Sequence, residues 1–333
     1  MSARRKISLA GVALGLGAIA TWAQPQFPRG GPGGPGGGPG RGFIPWNENE
    51  SSGPWVRTEG GGLVNEETVR TARETVSHST GTPEWSNPKG FEKDVFTFAR
   101  ILFKTTPRMD DMWNYYGRIG WWVDYPDADL NFSYRLQDLT TVRADPDCRV
   151  LKLADPTLTD FPVLYMAHVE SMRLTDSETD ILRRYLSNGG SLLINDTWND
   201  LAWRNLQAEM SRVLPGREWT ELTTDHPIFH CVFELKGPMK NLQVPTIQFW
   251  NRARTDGDLT APLSIRDRGP GSQEMHVRAL LDDKGHILVL AILNSDVSDG
   301  WEREGENTDY FHTFSEKICY PLGINIVFYL MTH

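Results

Sequence analysis

Apolar residues recur along this chain in two alternating rhythms. Short unbroken runs, "RVLKL" (149–153), "PVLYMA" (162–167) and "SLLIN" (191–195), have the length and aliphatic content of strands buried on both faces. "DVFTFARILF" (94–103) alternates and is rich in aromatics, so it too predicts a strand. Between these runs the apolar spacing lengthens to the helical period. Residues 127–140 predict a helix with Leu130, Tyr134 and Leu136 turned inward. The clearest helix spans 175–188. Thr175 and Glu178 have the capping-box spacing, Ile181, Leu182, Tyr185 and Leu186 form one stripe, and Gly189 suits the left-handed residue that ends it. A helix over 199–214 sets Leu206, Met210 and Val213 on one face. "VRALLDD" and "HILVLAIL" flank Lys284-Gly285 and predict a hairpin, and 314–331 ends as a helix despite Pro321. Asn65 is expected to cap a short helix carrying Val69, Ala72 and Val76. Strands alternating with helices predict an α/β fold, a mostly parallel central sheet with helices on both faces, closed by the C-terminal hairpin and helix. In such sheets ligands sit beyond the C-terminal ends of the strands.

The two ends change the picture at the N-terminus only. Arg4, Arg5 and Lys6 precede an apolar run from Ile7 to Ala20 and then Thr21-Trp22-Ala23, the layout of a signal peptide cut near Ala23. The run is shorter than the roughly 20 residues of a membrane span. Residues 24–43 are almost wholly Gly and Pro without a Gly-X-Y period, so they read as a tether. The expected organisation is a signal peptide (1–23), a Gly/Pro-rich linker (24–62) and one α/β domain (63–333), exported to the periplasm or beyond, with no integral span once the signal is cleaved. Loss of residues 1–23 takes the formal net charge from −9 to −12, which excludes a nucleic-acid partner as an expectation. Cys148, Cys231 and Cys319 form no C-x-x-C or Cys/His pair and read as buried apolar filler, with at most one disulfide among them.

Several blocks carry a family resemblance: "GTPEWSNPKGFEKDVFTFARI", "WWVDYPDADLNFSYRLQDLT", "FPVLYMAHVESMRLTDSETDILRRYLSNGGSLLINDTW" and "LGINIVFYLMTH". Across roughly residues 80–333 the chain resembles the bacterial domain-of-unknown-function family 4159. That resemblance implies a class I glutamine-amidotransferase-like, flavodoxin-like α/β fold, often exported, and no established reaction. It also implies a test. In amidotransferases of this fold a Cys stands at the turn after the strand matching "SLLIN", with a His-x-Glu near the C-terminus. Here the turn holds Asn195-Asp196-Thr197, and no late His-x-Glu occurs. A carboxylate cannot do thiol chemistry on an amide, so glutaminase activity is not expected.

The candidate chemistry lies at strand ends. His168 and Glu170 follow one apolar run, Asn195 and Asp196 the next, Asn294 and Asp296 the last. Converging on one rim, they would offer an acid and a base, or hold a divalent cation. The plainer alternative makes Asp196 or Thr197 a helix cap and Glu170 and Asp296 solvated loop residues. Asp124, Asp127 and Asp129 bracket a turn at Pro126 and are candidates to face the same rim, with Asp127 as a helix cap the plainer alternative. Of twelve tryptophans, Trp121, Trp122, Trp198, Trp203, Trp250 and Trp301 lie near predicted loops or strand ends. Trp198 and Trp301 adjoin polar strand-end motifs and are the candidates for stacking on a sugar. His226, held extended before Pro227, is either a base paired with Asp225 or a hydrogen-bonded turn residue. No G-x-S-x-G, Walker or G-x-G-x-x-G motif occurs. Two functions follow: a non-amidotransferase binding or interaction module for a small molecule, a carbohydrate or another envelope protein, or a hydrolase of carbohydrate-like substrates using Asp196 and His168. No cofactor is expected, with a divalent cation the alternative.

Overall fold

The alternating runs fold into one seven-stranded sheet. Its strands are β3 (Ala99–Leu102), β4 (Arg149–Lys152), β5 (Val163–Ala167), β6 (Ser191–Thr197), β7 (Trp219–Glu221), β8 (His276–Leu281) and β9 (Ile287–Leu293), in the order β4-β3-β5-β6-β9-β8-β7. β4, β3, β5, β6 and β9 are parallel, and β8 runs antiparallel to β9 and β7. Taken in chain order, the parallel strands stand as 2-1-3-4-5, the flavodoxin-type doubly wound arrangement. A separate pair, β1 (Trp55–Arg57) and β2 (Leu63–Asn65), is antiparallel. The computed structural model describes residues 54–58, 61–79, 81–91, 94–105, 120–248, 250 and 269–333, all inside the compact unit Asn47–His333. The expected signal peptide and the Gly/Pro tract lie outside the described residues.

Every residue of β5, β6 and β9 is buried, as unbroken apolar runs require when both sheet faces are covered. Helices α2 (Asp176–Ser187) and α3 (Asn199–Val213) pack on each other, and α2 also packs on β6 and β9. A second group joins α1 (Asp127–Leu139), α4 (Val297–Glu302) and α5 (Tyr320–Thr332), with α5 reaching β5. The Thr175–Glu178 capping box forms as expected, with Glu178 N donating to Thr175 Oγ1 at 3.2 Å and Thr175 N to Glu178 Oε2 at 2.8 Å. Gly189 exits α2 at φ 98°, where a side chain would be strained. Pro321 falls at the junction where a π-helical stretch (Phe311–Cys319) passes into α5.

Three expectations are corrected. Regular structure is present ahead of the expected Leu63, because β1 lies inside the expected linker and pairs with β2. Asn65 caps no helix. It ends β2, its Oδ1 accepts from Glu67 N at 2.9 Å, and only a 3-10 turn (Ala72–Glu74) follows, with Val76 exposed. Cys231 is exposed, whereas Cys148 and Cys319 are buried filler as read; all three are free thiols.

Candidate functional site

The chain leaves the sheet through strained turns. His168 (φ 52°) follows β5, Asp196 (φ 51°) sits near the end of β6, Asn294 (φ 58°) follows β9, and Asn199 (φ 71°) opens α3. Asp124 (φ 60°) turns the segment before α1, where the Tyr125–Pro126 peptide is cis. Left-handed backbone costs a residue with a Cβ about 1–2 kcal/mol, and such outliers gather where a side chain is being aimed. At Asp196 the aiming device is a bulge. Ile194 pairs with Ala291 and Thr197 with Leu293, so Asn195 and Asp196 together face Ile292.

The bulge turns Asp196 toward His168. The His168 Nε2 pairs with Asp196 Oδ2, and its Nδ1 lies 3.3 Å from Glu170 Oε2. Burial works against charge on this imidazole, but the Asp196 and Glu170 carboxylates outweigh it and hold its pKa well above the ordinary value. The other Asp196 oxygen accepts from Trp198 Nε1 at 2.5 Å. Asp196 is therefore not a helix cap. The α3 N-terminus is capped by Asn199, whose Oδ1 accepts from Leu201 N and Ala202 N. Thr197 Oγ1 turns back to Asn195 O instead.

Two more carboxylates come close. Oxygens of Asp124, Asp196 and Asp296 lie within 4.8 Å of one another, and all three residues are buried. A second group shares Asp124 with Asp299 and Glu302. Asp296 Oδ1 accepts from Asp299 N, capping α4, and from Ser298 Oγ at 3.4 Å. Asn195 Nδ2 donates to Ser298 Oγ at 2.8 Å. Arg303 Nε stands 3.1 Å from Asp299 Oδ1 and 2.6 Å from Glu302 Oε2, while His78 Nε2 stands 3.0 Å from Glu302 Oε1. The Asp124 turn is held from below by Arg100 on β3. Its guanidinium donates to Trp121 O, Val123 O and the Asp129 carboxylate at 2.8–3.0 Å. Burial opposes that charge, and Asp129 more than restores it, so Arg100 stays ionised.

The remaining candidates go elsewhere. Asp129 is no rim residue; it is the buried partner of Arg100. Asp127 does not cap α1 either. It is the first residue of the helix, and its carboxylate receives Ser77 Oγ and His78 N. Trp198 and Trp301 are 1% exposed, so neither offers a face for a sugar. Trp301 packs against Phe98, Phe132 and Tyr165 and donates Nε1 to Cys319 O. Asn294 is a clamp: its Oδ1 accepts from Asn199 N and its Nδ2 donates to Gly271 O and Glu274 O. His226 caps a 3-10 turn through Ile228 N and packs on Tyr329, far along the chain from the strand-end residues, which matches the turn alternative. The sequence reading did not single out Arg100, His78, Asp299, Glu302 or Arg303. A signal existed for the first: one Arg inside an apolar strand run requires a buried partner.

A doubly wound α/β sheet with a His–carboxylate cluster beyond its parallel strand ends defines the class. The family described as Domain of unknown function (DUF4159) matches residues 115–331, and the chain belongs to it. No curated protein matches the chain. Among the described residues, no helix is long and apolar enough to cross a membrane.

Proposed function

We propose that the protein is an exported, non-amidotransferase ligand-binding module on an amidotransferase-like sheet, and that its ligand is taken at the rim formed by Asp124, His168, Asp196 and Asp296. One observation carries this reading. The bulge near the end of β6, beside which thiol chemistry of that fold would sit, aims a carboxylate at the buried His168 ring, and two further carboxylates close on the same point. Such a site attracts cations or hydroxyl donors and repels anions. The thiols lie away from strand-end turns of this kind: Cys148 precedes β4, Cys231 follows a 3-10 turn, and Cys319 ends the π-helix.

A thermal-shift series on the mature chain tests it, using mannitol, glucose and putrescine as probes and citrate as the anionic control. A melting rise with a polyol, sugar or amine that shrinks in Asp196→Asn, each variant compared with its own unliganded midpoint, is the expected result. Equal shifts in both proteins would refute the assignment of the site. The hydrolase reading draws on the same three carboxylates. In it His168 orients Asp196 rather than accepting a proton, because both its ring nitrogens already face carboxylates. Release of nitrophenol from nitrophenyl glycosides, lost in Asp124→Asn, would favour it.

A further inference from the structure

We infer that Asp124, Asp196 and Asp296 bind one divalent cation of the hard, oxygen-seeking class, such as Ca2+, Mg2+ or Mn2+. The inference rests on the rim reading above and names its ligand. Oxygens around Ca2+ at about 2.4 Å lie at most about 4.8 Å apart, and around Mg2+ about 4.2 Å. The three carboxylates, with oxygens within 4.8 Å of one another, fall inside the Ca2+ limit, and a smaller ion would draw them closer. Their donors are all oxygen, which disfavours the thiolate- and imidazole-seeking metals. His168 is not a candidate ligand, since its nitrogens face Asp196 and Glu170.

Asn195 gives an independent sign. It is fully buried beside Asp196 in the bulge. Its amide nitrogen is fixed on Ser298 Oγ, the hydroxyl that also contacts Asp296. The amide oxygen at the other end of that planar group is enclosed and accepts no hydrogen bond among the described residues. Buried acceptors are rarely left so, and an amide oxygen is a good ligand for a hard cation. The neighbouring group of Asp124, Asp299 and Glu302 differs. There Arg303 stands against both Asp299 and Glu302 and the His78 ring against Glu302 as well, whereas in the first group one imidazole, His168, stands against Asp196. Burial also selects by size: Asp124 and Asp296 are 3% exposed and Asp196 1%, which suits an ion better than a sugar ring.

Terbium luminescence on metal-stripped full chain is the test, since the Trp198 indole bonded to Asp196 would sensitise a bound Tb3+. We expect saturable emission at one site per chain, competed away by Ca2+ or Mn2+. Asp124→Asn and Asp296→Asn should each weaken binding by about 10–100-fold, and Asp180→Asn, on the exposed side of α2, should leave it unchanged. If either buried variant fails to fold, the wild-type titration still decides. Absence of saturable Tb3+, Ca2+ or Mn2+ binding to folded wild-type chain, or binding unaltered in the folded variants, overturns the inference. A polyol or amine shift dependent on Asp196 would then survive alone and leave the rim reading standing. Loss of both would remove the reading as well.

Discussion

Asp196 carries more of the fold than its place in the sequence suggests. As a cap it would tolerate Asn, and Ala would cost about 1 kcal/mol. As the buried partner of His168 it cannot be neutralised so cheaply, because a stranded buried charge costs about 3–5 kcal/mol. Asp196→Asn and His168→Gln should each lower stability by that order, and the double variant by clearly less than the sum. Urea unfolding of the four proteins measures this; strict additivity would show that the pair is not coupled. The strand-end positions of His168, Asp196 and Asp296 were legible from apolar runs that stop at polar residues. What each side chain touches was not. The bulge that aims Asp196 depends on pairing with β9, about 95 residues further along, and Asp124 joins through Arg100 on a third strand. No local pattern encodes either. Trp198 misled for the same reason: adjacency to a polar motif says nothing of the indole's burial.

At the level of elements, α3 starts on an unusual residue. Asn199 is left-handed and caps its own helix through Leu201 N and Ala202 N. Asn199→Ala should cost about 2 kcal/mol, losing the cap and keeping the strain. Asn199→Gly should cost less, since glycine accepts positive φ and is a tolerable cap. The reverse order in thermal or urea unfolding would show that the backbone there is not under strain. The N-terminus of α1 offers a pH test. Burial pushes the Asp127 pKa up, but hydrogen bonds from His78 and Ser77 prevail and hold it below the usual carboxylate value. A depressed folded pKa contributes stability above the unfolded value of about 3.9, lost as pH falls through the folded one. Asp127→Asn should therefore lose stability at neutral pH and show a shallower decline than wild type as pH drops below about 4. Equal acid slopes would exclude Asp127 as a contributor. The helices and parallel strands were legible because capping boxes, glycine exits and unbroken apolar runs are local signals. β1 and the 3-10 turn at Ala72–Glu74 were not, since three-residue elements have too little period to read and exist through pairing and packing.

For the whole molecule, charge and thiols set the remaining expectations. The basic start, short apolar run and Ala23 lead us to propose a mature chain beginning near Gln24, and N-terminal sequencing of protein recovered from outside the cytosol should read from there; an intact Met1 or Ser2 terminus on soluble cytosolic protein would refute it. The thiols bear on chemistry everywhere in the described fold. Burial raises Cys148 and Cys319 far above the ordinary thiol value, so neither supplies a thiolate at neutral pH. Cys231 is exposed, yet burial of its sulfur side pushes its thiol up as well. Brief iodoacetamide treatment of the native chain should therefore label Cys231 slowly and the other two not at all, and labelling should leave ligand or cation binding intact. Replacing all three by Ser should cost about 1–3 kcal/mol at each of the two buried sites, where a hydroxyl meets packing made for sulfur. At Cys231 the cost should be small. Mass spectrometry of the labelled chain and the terbium titration of the triple variant read the two halves of this prediction. Rapid modification of Cys148 or Cys319 in folded protein, or loss of binding in a folded triple variant, would return a thiol to the site that the carboxylates are assigned here.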